Sequence, residues 1–290
     1  MKPRRLHARA GIGILLPLSL VLVAAAQAPA PAPAGTLTCA EMEKFLATAK
    51  IGRQKNLPVG VTAPSRAMLD DGKLQHEAVI QTVDITKTSY TTARGTELNF
   101  RDSWQFNVAG YELAKMLELN MVPPYVERRV SGVPASVSWL VPDVMMERDR
   151  HQKKLTPPDM EKWNAEVLAA RVFHELIADT DYNMTNLLIT KEWSTWMIDF
   201  SRAFRRTTSL QEPAGLTAID RKLLANLRGL TKEALQQKLK RWLNRDEIDA
   251  ILTRRDLIVR LVDDRIKARG EAAVVYDLPR SNEPCGAGLR

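Results

Sequence analysis

Asp179-Thr-Asp181-Tyr-Asn183-Met-Thr-Asn186-Leu-Leu-Ile189 is followed, after a polar stretch, by Thr195-Trp-Met-Ile-Asp199-Phe200-Ser201-Arg202-Ala203-Phe204. The apolar runs Leu187–Ile189 and Thr195–Ile198 read as two short strands around a polar turn, Lys191–Ser194. Pairing Thr190 with Thr195 puts Asn186 directly opposite Asp199, and directly opposed residues share a face with Cβ atoms about 4.5–5.5 Å apart. Asp181 precedes that pair on the loop. An Asp at the loop start, an Asn five residues later and an Asp across a hairpin make a compact oxygen-rich site. Magnesium is bound through a few such oxygens plus phosphate.

Two plainer readings compete. Asp and Asn are common in loops because their side chains satisfy nearby backbone donors. Asp179-x-Asp181-x-Asn183 also resembles the start of a calcium loop, but Met184 stands where that loop needs its tight-turn Gly, and Thr190 where it needs Glu. The calcium reading is excluded.

The pattern D-x-x-x-x-N, a short hairpin, then I-D-x-x-x-A-F resembles the catalytic loop and metal-binding Asp of atypical kinases, the phosphatidylinositol-3/4-kinase-like and HipA-type superfamily. The flanking segments Asn99-Phe-Arg-Asp102 and Tyr111 to Pro124 look like a bacterial branch of secreted, kinase-like proteins, and the resemblance covers residues 40–278. It implies an α+β, two-lobed protein-kinase-like fold with an antiparallel-sheet N-lobe and a mainly helical C-lobe. It further implies ATP and Mg2+ as cofactors. Asp181 would orient or deprotonate the acceptor, and Asn186 and Asp199 would bind the metal. The loop departs from the lipid-kinase form, with Tyr182 and Asn183 where Arg and His are usual and Ser201 where Gly often sits.

The sheet-rich half departs further. A kinase-like site wants a strand lysine on the phosphates and an acidic partner on the following helix. In the strand Ala78-Val-Ile-Gln81-Thr82, Gln81 stands where that lysine is expected. Glutamine donates a hydrogen bond and brings no charge. Lys87, or Lys73 on the preceding turn, could reach in; the plainer reading of each is a solvated surface lysine. Glu112 is the candidate acidic partner. The phosphate-covering loop, Leu57-Pro-Val-Gly60-Val-Thr62, has a single glycine, so backbone donors approach phosphate at one point, through Gly60 and Thr62.

The ends of the chain point to export. Lys2, Arg4, Arg5 and Arg9 form a positive head, Ile12 to Val23 a short apolar core, and Ala24-Ala-Ala26 a small-residue cleavage site. The apolar core is short for a membrane span, so cleavage after Ala26 leaves a periplasmic or secreted protein with no stable transmembrane span. Residues 27–38 open as an Ala/Pro linker. Losing the four basic residues of the head lowers the net charge from +8 to +4. That mild excess, without a basic stripe interleaved with aromatics, argues against a nucleic-acid partner. Cys39 and Cys285 flank the mature chain, and an oxidising compartment permits a disulfide between them. Two cysteines and four scattered histidines offer no zinc spacing; His174 falls in a helical run and reads as a packed or surface residue.

Between the ends, residues 39–147 read as the sheet-rich lobe and 148–278 as the helical lobe, with 279–290 a tail. Thr38 and Glu41 make a capping box for a first helix. Strand-like alternations follow, then a helix over Ser103 to Leu119 and further strands over Val122 to Val144. Thr156-Pro-Pro-Asp159 predicts a long helix with proline in its first turn. After the hairpin, helices are expected over Asp220–Leu230, Thr231–Leu243 and Asn244–Lys267, with Gly270 ending the last.

Three functions fit. An exported magnesium-dependent phosphotransferase would move a nucleotide phosphoryl group to a hydroxyl of a protein, lipid or glycan acceptor. Asp181, Asn186 and Asp199 favour it. A catalytically impaired pseudokinase, acting as a nucleotide- or protein-binding module in the cell envelope, is favoured by Gln81, the thin phosphate loop and an exported chain's scarce supply of ATP. A structural envelope protein is the third; the hairpin argues against it.

Overall fold

A computed structural model describes residues 37–57, 64–92 and 95–279. The export signal, Gly60, Thr62 and Cys285 lie outside them. The chain begins with α1, Cys39–Thr48, whose predicted capping box is formed: Thr38 accepts from the Glu41 N–H and Glu41 reaches back to Thr38. Short β1 (Lys50–Ile51) and β2 (Lys55–Asn56) precede β3 (Ser65–Asp70) and β4 (Gln75–Gln81). The next two strands, β5 (Asp84–Thr92) and β6 (Gly95–Ser103), form a separate hairpin, which the sequence reading did not resolve from the strand before it. Helix α2, Trp104–Met116, starts one residue later than expected because Ser103 is its N-cap, accepting from the Gln105 N–H.

Strands β7 (Tyr125–Val130) and β8 (Val133–Trp139) return to the first sheet, whose order is β1-β3-β4-β8-β7 with every pairing antiparallel. Burial along β3 alternates, so Ala67 and Leu69 face α1 while Arg66 and Met68 face out. Met42, Phe45, Ile80, Val137 and Trp139 complete that core.

The helical part follows short β9 (Met145–Met146) and α3 (Glu147–Gln152) with α4, Met160–Ile177. Asp159 caps α4 by accepting from the Lys162 N–H, so the two prolines lie before the helix and not in its first turn. Strands β10 (Leu187–Ile189) and β11 (Thr195–Met197) come next, then β12 (Ile219–Asp220), α5 (Arg221–Gly229), α6 (Lys232–Leu239), α7 (Arg245–Arg269) and β13 (Val275–Tyr276). The expected capping box of Asn244 with Glu247 is formed, and Gly270 ends α7 at φ +82°. A second core gathers α2, α4, α5, α6 and α7. Its most buried aromatics, Phe173 and Phe200, each contribute about 1.5–3 kcal/mol by leaving water.

The β10–β11 hairpin stands between the two cores. Leu187 and Met197 belong to the helical core, whereas Leu188 and Trp196 belong to the sheet core. Period-two alternation alone sends them to opposite sides. Among the described residues, no helix is long and apolar enough to cross a membrane.

Candidate active site

The loop between α4 and β10 is built from the helix end outward. Ala178, at φ +45°, ends α4 in the left-handed region that non-glycine residues enter at a cost. Arg254 of α7 is fully buried and donates to the carbonyls of Leu176, Arg205 and Thr207, which fastens that helix end to the segment after Phe204. Asp179 is buried and uses both carboxylate oxygens: one accepts the Asp181 N–H at 3.0 Å, the other faces His174 Nδ1 at 2.9 Å. His174 is thus a packed histidine, stacked on Tyr182 with ring centroids 3.7 Å apart.

This frame leaves Asp181 47% exposed, its carboxylate 3.7 Å from Arg202. Arg202 in turn donates from Nε to Asp102 at 2.7 Å. Asn186 is buried, with Nδ2 donating to the Asp181 carbonyl at 3.2 Å. Its amide oxygen meets the Thr185 hydroxyl at 3.3 Å.

The hairpin register differs from the expected one by one residue. Ile189 pairs with Thr195 and Leu187 with Met197, so Ile198, not Asp199, lies opposite Asn186 and donates its N–H to the Asn186 carbonyl. The loop is shorter than anticipated: Lys191, Glu192 and Trp193 turn the chain, with Trp193 at φ +59°, and Thr190 already pairs with Ser194. A turn closed by a left-handed residue is the usual three-residue hairpin connection. A one-residue slip sends side chains to the other face. Asp199 follows the strand at φ +60°, a local reversal that redirects its carboxylate.

Asp199 Oδ1 accepts from Gln81 Nε2 at 3.2 Å, and its N–H points to the Tyr125 hydroxyl at 3.4 Å. Among the described residues it forms no ion pair. Burial pushes its carboxyl above the ordinary range; Gln81 works against that shift, and the negative charge of Asp179 adds to it. Gln81 therefore does occupy the strand-end position beside the candidate metal Asp.

The helical partner of Gln81 is a residue the sequence reading missed. Asn107 on α2, fully buried, donates from Nδ2 to Gln81 Oε1 and to Ser136 Oγ, and accepts the Phe200 N–H at 2.7 Å. Glu112 does not fill that place: it pairs with Lys115 and Lys238. The available signal was an Asn inside an otherwise apolar helix segment, where its competing backbone bonds make it a poor choice without a partner. Lys87 is exposed on β5, over the Tyr90 ring, and Lys73 is exposed in the turn before β4. Neither has a contact with Asp199 or Gln81.

Asp199 and Asn186 offer oxygens of the type magnesium takes, and a buried acid without a cation beside it suits a divalent ion. The described residues hold no cluster of three His, Cys, Asp or Glu able to bind a metal unaided. Magnesium here would need phosphate oxygens as well, which is its habit. Two clefts flank the loop. One, of about 650 Å³, is lined by Arg171, His174, Tyr182 and Asn183. The other, of about 680 Å³, is lined by Asp181, Arg202, Arg205 and the β5–β6 hairpin.

No protein-family model matches the chain, and no curated protein matches it. Solved structures do. Hydra Fam20, described with sugar, superposes at a TM-score of 0.64 with 13% identity, over 82% of this chain and 92% of that one. The Golgi casein kinase superposes at 0.59 with 13% identity, over 83% of this chain and 78% of that one. The chain has an atypical kinase-like fold, α+β, with an antiparallel sheet and a mainly helical remainder.

Proposed function

We propose that the chain is an exported, magnesium-dependent phosphotransferase that moves a nucleotide phosphoryl group to a hydroxyl acceptor. The observation that carries this reading is the join between loop and hairpin. Asp181 is left half-exposed at the rim of a cleft, while Asn186 and Asp199 offer amide and carboxylate oxygens near one another in the chain path. Phosphoryl transfer asks a protein mainly to hold phosphates, neutralise their charge and align the acceptor. Asp181 would orient the acceptor hydroxyl and take its proton. Asn186 and Asp199 would hold magnesium, which when bound neutralises charge on the phosphates. Within this fold we retain the phosphatidylinositol-3/4-kinase-like and HipA-type resemblance as our finer reading. A protein or glycan acceptor is in keeping with the two structural neighbours, one described with sugar and one as a casein kinase.

One observation favours the second reading, a pseudokinase that binds nucleotide or protein without turnover. Gln81 and Asn107 supply amides where a lysine and an acid are expected. Thermal unfolding of residues 27–290 with ATP, GTP or ADP, with and without magnesium, tests both. A ligand at 100 times its dissociation constant stabilises by roughly 2.7 kcal/mol. A magnesium-dependent shift lost in Asp199→Asn, together with phosphate release or transfer, supports the enzyme. A shift without turnover supports the binding module, and no shift with any nucleotide removes both nucleotide readings.

A further inference from the structure

Four neutral groups carry the contacts between α2, β4 and the segment after β11. The Phe200 N–H donates to Asn107 Oδ1, Asn107 Nδ2 to Gln81 Oε1 and Ser136 Oγ, and Gln81 Nε2 to Asp199. Asn107 and Ser136 are essentially inaccessible and Gln81 nearly so. Each amide uses both its oxygen and its nitrogen, so the relay is saturated and has one direction, from the Phe200 backbone to the Asp199 carboxylate. The other groups on Asp199 are Tyr125 and Ser201, also neutral, and the ionisable group that acts on it is another acid, Asp179.

Resting on the phosphotransferase reading, we infer that Asn107 is a positioning residue: with Gln81 it orients Asp199 through an uncharged relay. The ligand class of the cleft is therefore a nucleotide complexed with divalent cations, and metal-free nucleotide is rejected. A polyphosphate approaching Asp199 meets like charge with no protein cation against that carboxylate. The positive charge has to arrive with the ligand. Gly110, one turn along α2 from Asn107, leaves room for the Phe200 ring, so the same helix face sets both the backbone and the side chain of that residue.

The test is an isosteric swap of the relay for an ion pair. Wild type, Gln81→Lys, Asn107→Asp and the double variant are melted alone, with ATP in chelator, and with ATP and magnesium. Alone, Asn107→Asp should melt at least about 4 °C lower, because it buries an unpaired acid, and Gln81→Lys in the same chain should restore half or more of that loss. Wild type should respond to ATP only with magnesium, and the double variant should bind metal-free ATP at least about tenfold more tightly than wild type does, a gain that a purely structural pair would not give. If Asn107→Asp does not fold alone, folding of the double variant is itself the rescue; if neither folds, an ATP response in chelator by Gln81→Lys decides. Additive melting changes, or a wild-type response to ATP in chelator equal to that with magnesium, overturn the inference. Absence of any nucleotide shift in all the folded proteins sinks the phosphotransferase reading and the ligand class with it, while the coupling measured without ligand judges the positioning role separately.

Discussion

The carboxylate of Asp199 takes its hydrogen bond from Gln81 Nε2, at 3.2 Å, so an uncharged amide stands against a buried acid. Burial, with Asp179 adding to it, holds the Asp199 carboxyl above its ordinary value. The folded chain therefore binds that proton more tightly than the unfolded chain does. By linkage, stability falls as pH rises from the ordinary carboxylate range through the raised folded value, and is level above it. Asp199→Asn removes the fall: it should melt higher than wild type above that window and match it below. Stabilisation by magnesium with ATP should grow across the same window in wild type and be missing from the variant. Melting curves from about pH 3 to about pH 8 check this, and parallel pH profiles for the two proteins would remove the buried-charge account.

Asp181 and Arg202 should separate activity from stability. The ion contact between them is 3.7 Å long and Asp181 is 47% exposed, so solvent screens it. Asp181→Asn should change stability by no more than about 1 kcal/mol while removing phosphoryl transfer. Arg202→Gln should cost about 3–5 kcal/mol, because it strands the buried Asp102 carboxylate. Urea denaturation of both variants reads the difference; equal losses would show that Asp181 is structural.

Gly110→Ala sets two effects against each other. Alanine gains about 1 kcal/mol over glycine inside a helix. Its Cβ would lie 2.7 Å from Phe200 Cδ2, and that ring is fully buried, edge-on to Phe173. Overpacking of this kind costs about 1–3 kcal/mol. The net outcome should be a loss of roughly 1–2 kcal/mol, with a weakened nucleotide response because Phe200 adjoins Asp199. A variant more stable than wild type would mean the ring yields.

Arg254→Met removes the donor to three carbonyls, those of Leu176, Arg205 and Thr207. Burial already lowers this guanidinium to about 10, so its charge is held at a cost that the hydrogen bonds offset. Stranding the carbonyls should destabilise by about 3–5 kcal/mol. Hydrogen exchange should quicken first in the last turn of α4 and in residues 205–207; uniform quickening would argue that Arg254 supports the whole core and not this junction.

Local signals in the sequence carried much of the fold. Thr38 with Glu41 and Asn244 with Glu247 set helix starts, Gly270 set an end, and the apolar runs of β10 and β11 set a hairpin, because caps and periodicity act within a few residues. Such signals could not place the hairpin register, since a left-handed Trp193 is a choice of the folded turn, made while Leu188 and Trp196 enter one core and Leu187 and Met197 the other.

The sequence by itself determined which groups could carry chemistry: Asp181, Asn186 and Asp199 at kinase-like spacing, and Gln81 in place of a lysine. Only the tertiary structure decided what stands beside them. Asn107, 26 residues from Gln81, and Asp199, 118 residues from it, meet at one amide because β4, α2 and the β11 exit pack together. Glu112, the better-charged candidate on the same helix, is turned instead to Lys115 and Lys238. Helix phase and packing against a second element choose between two residues on one helix, and neither is encoded within a short window.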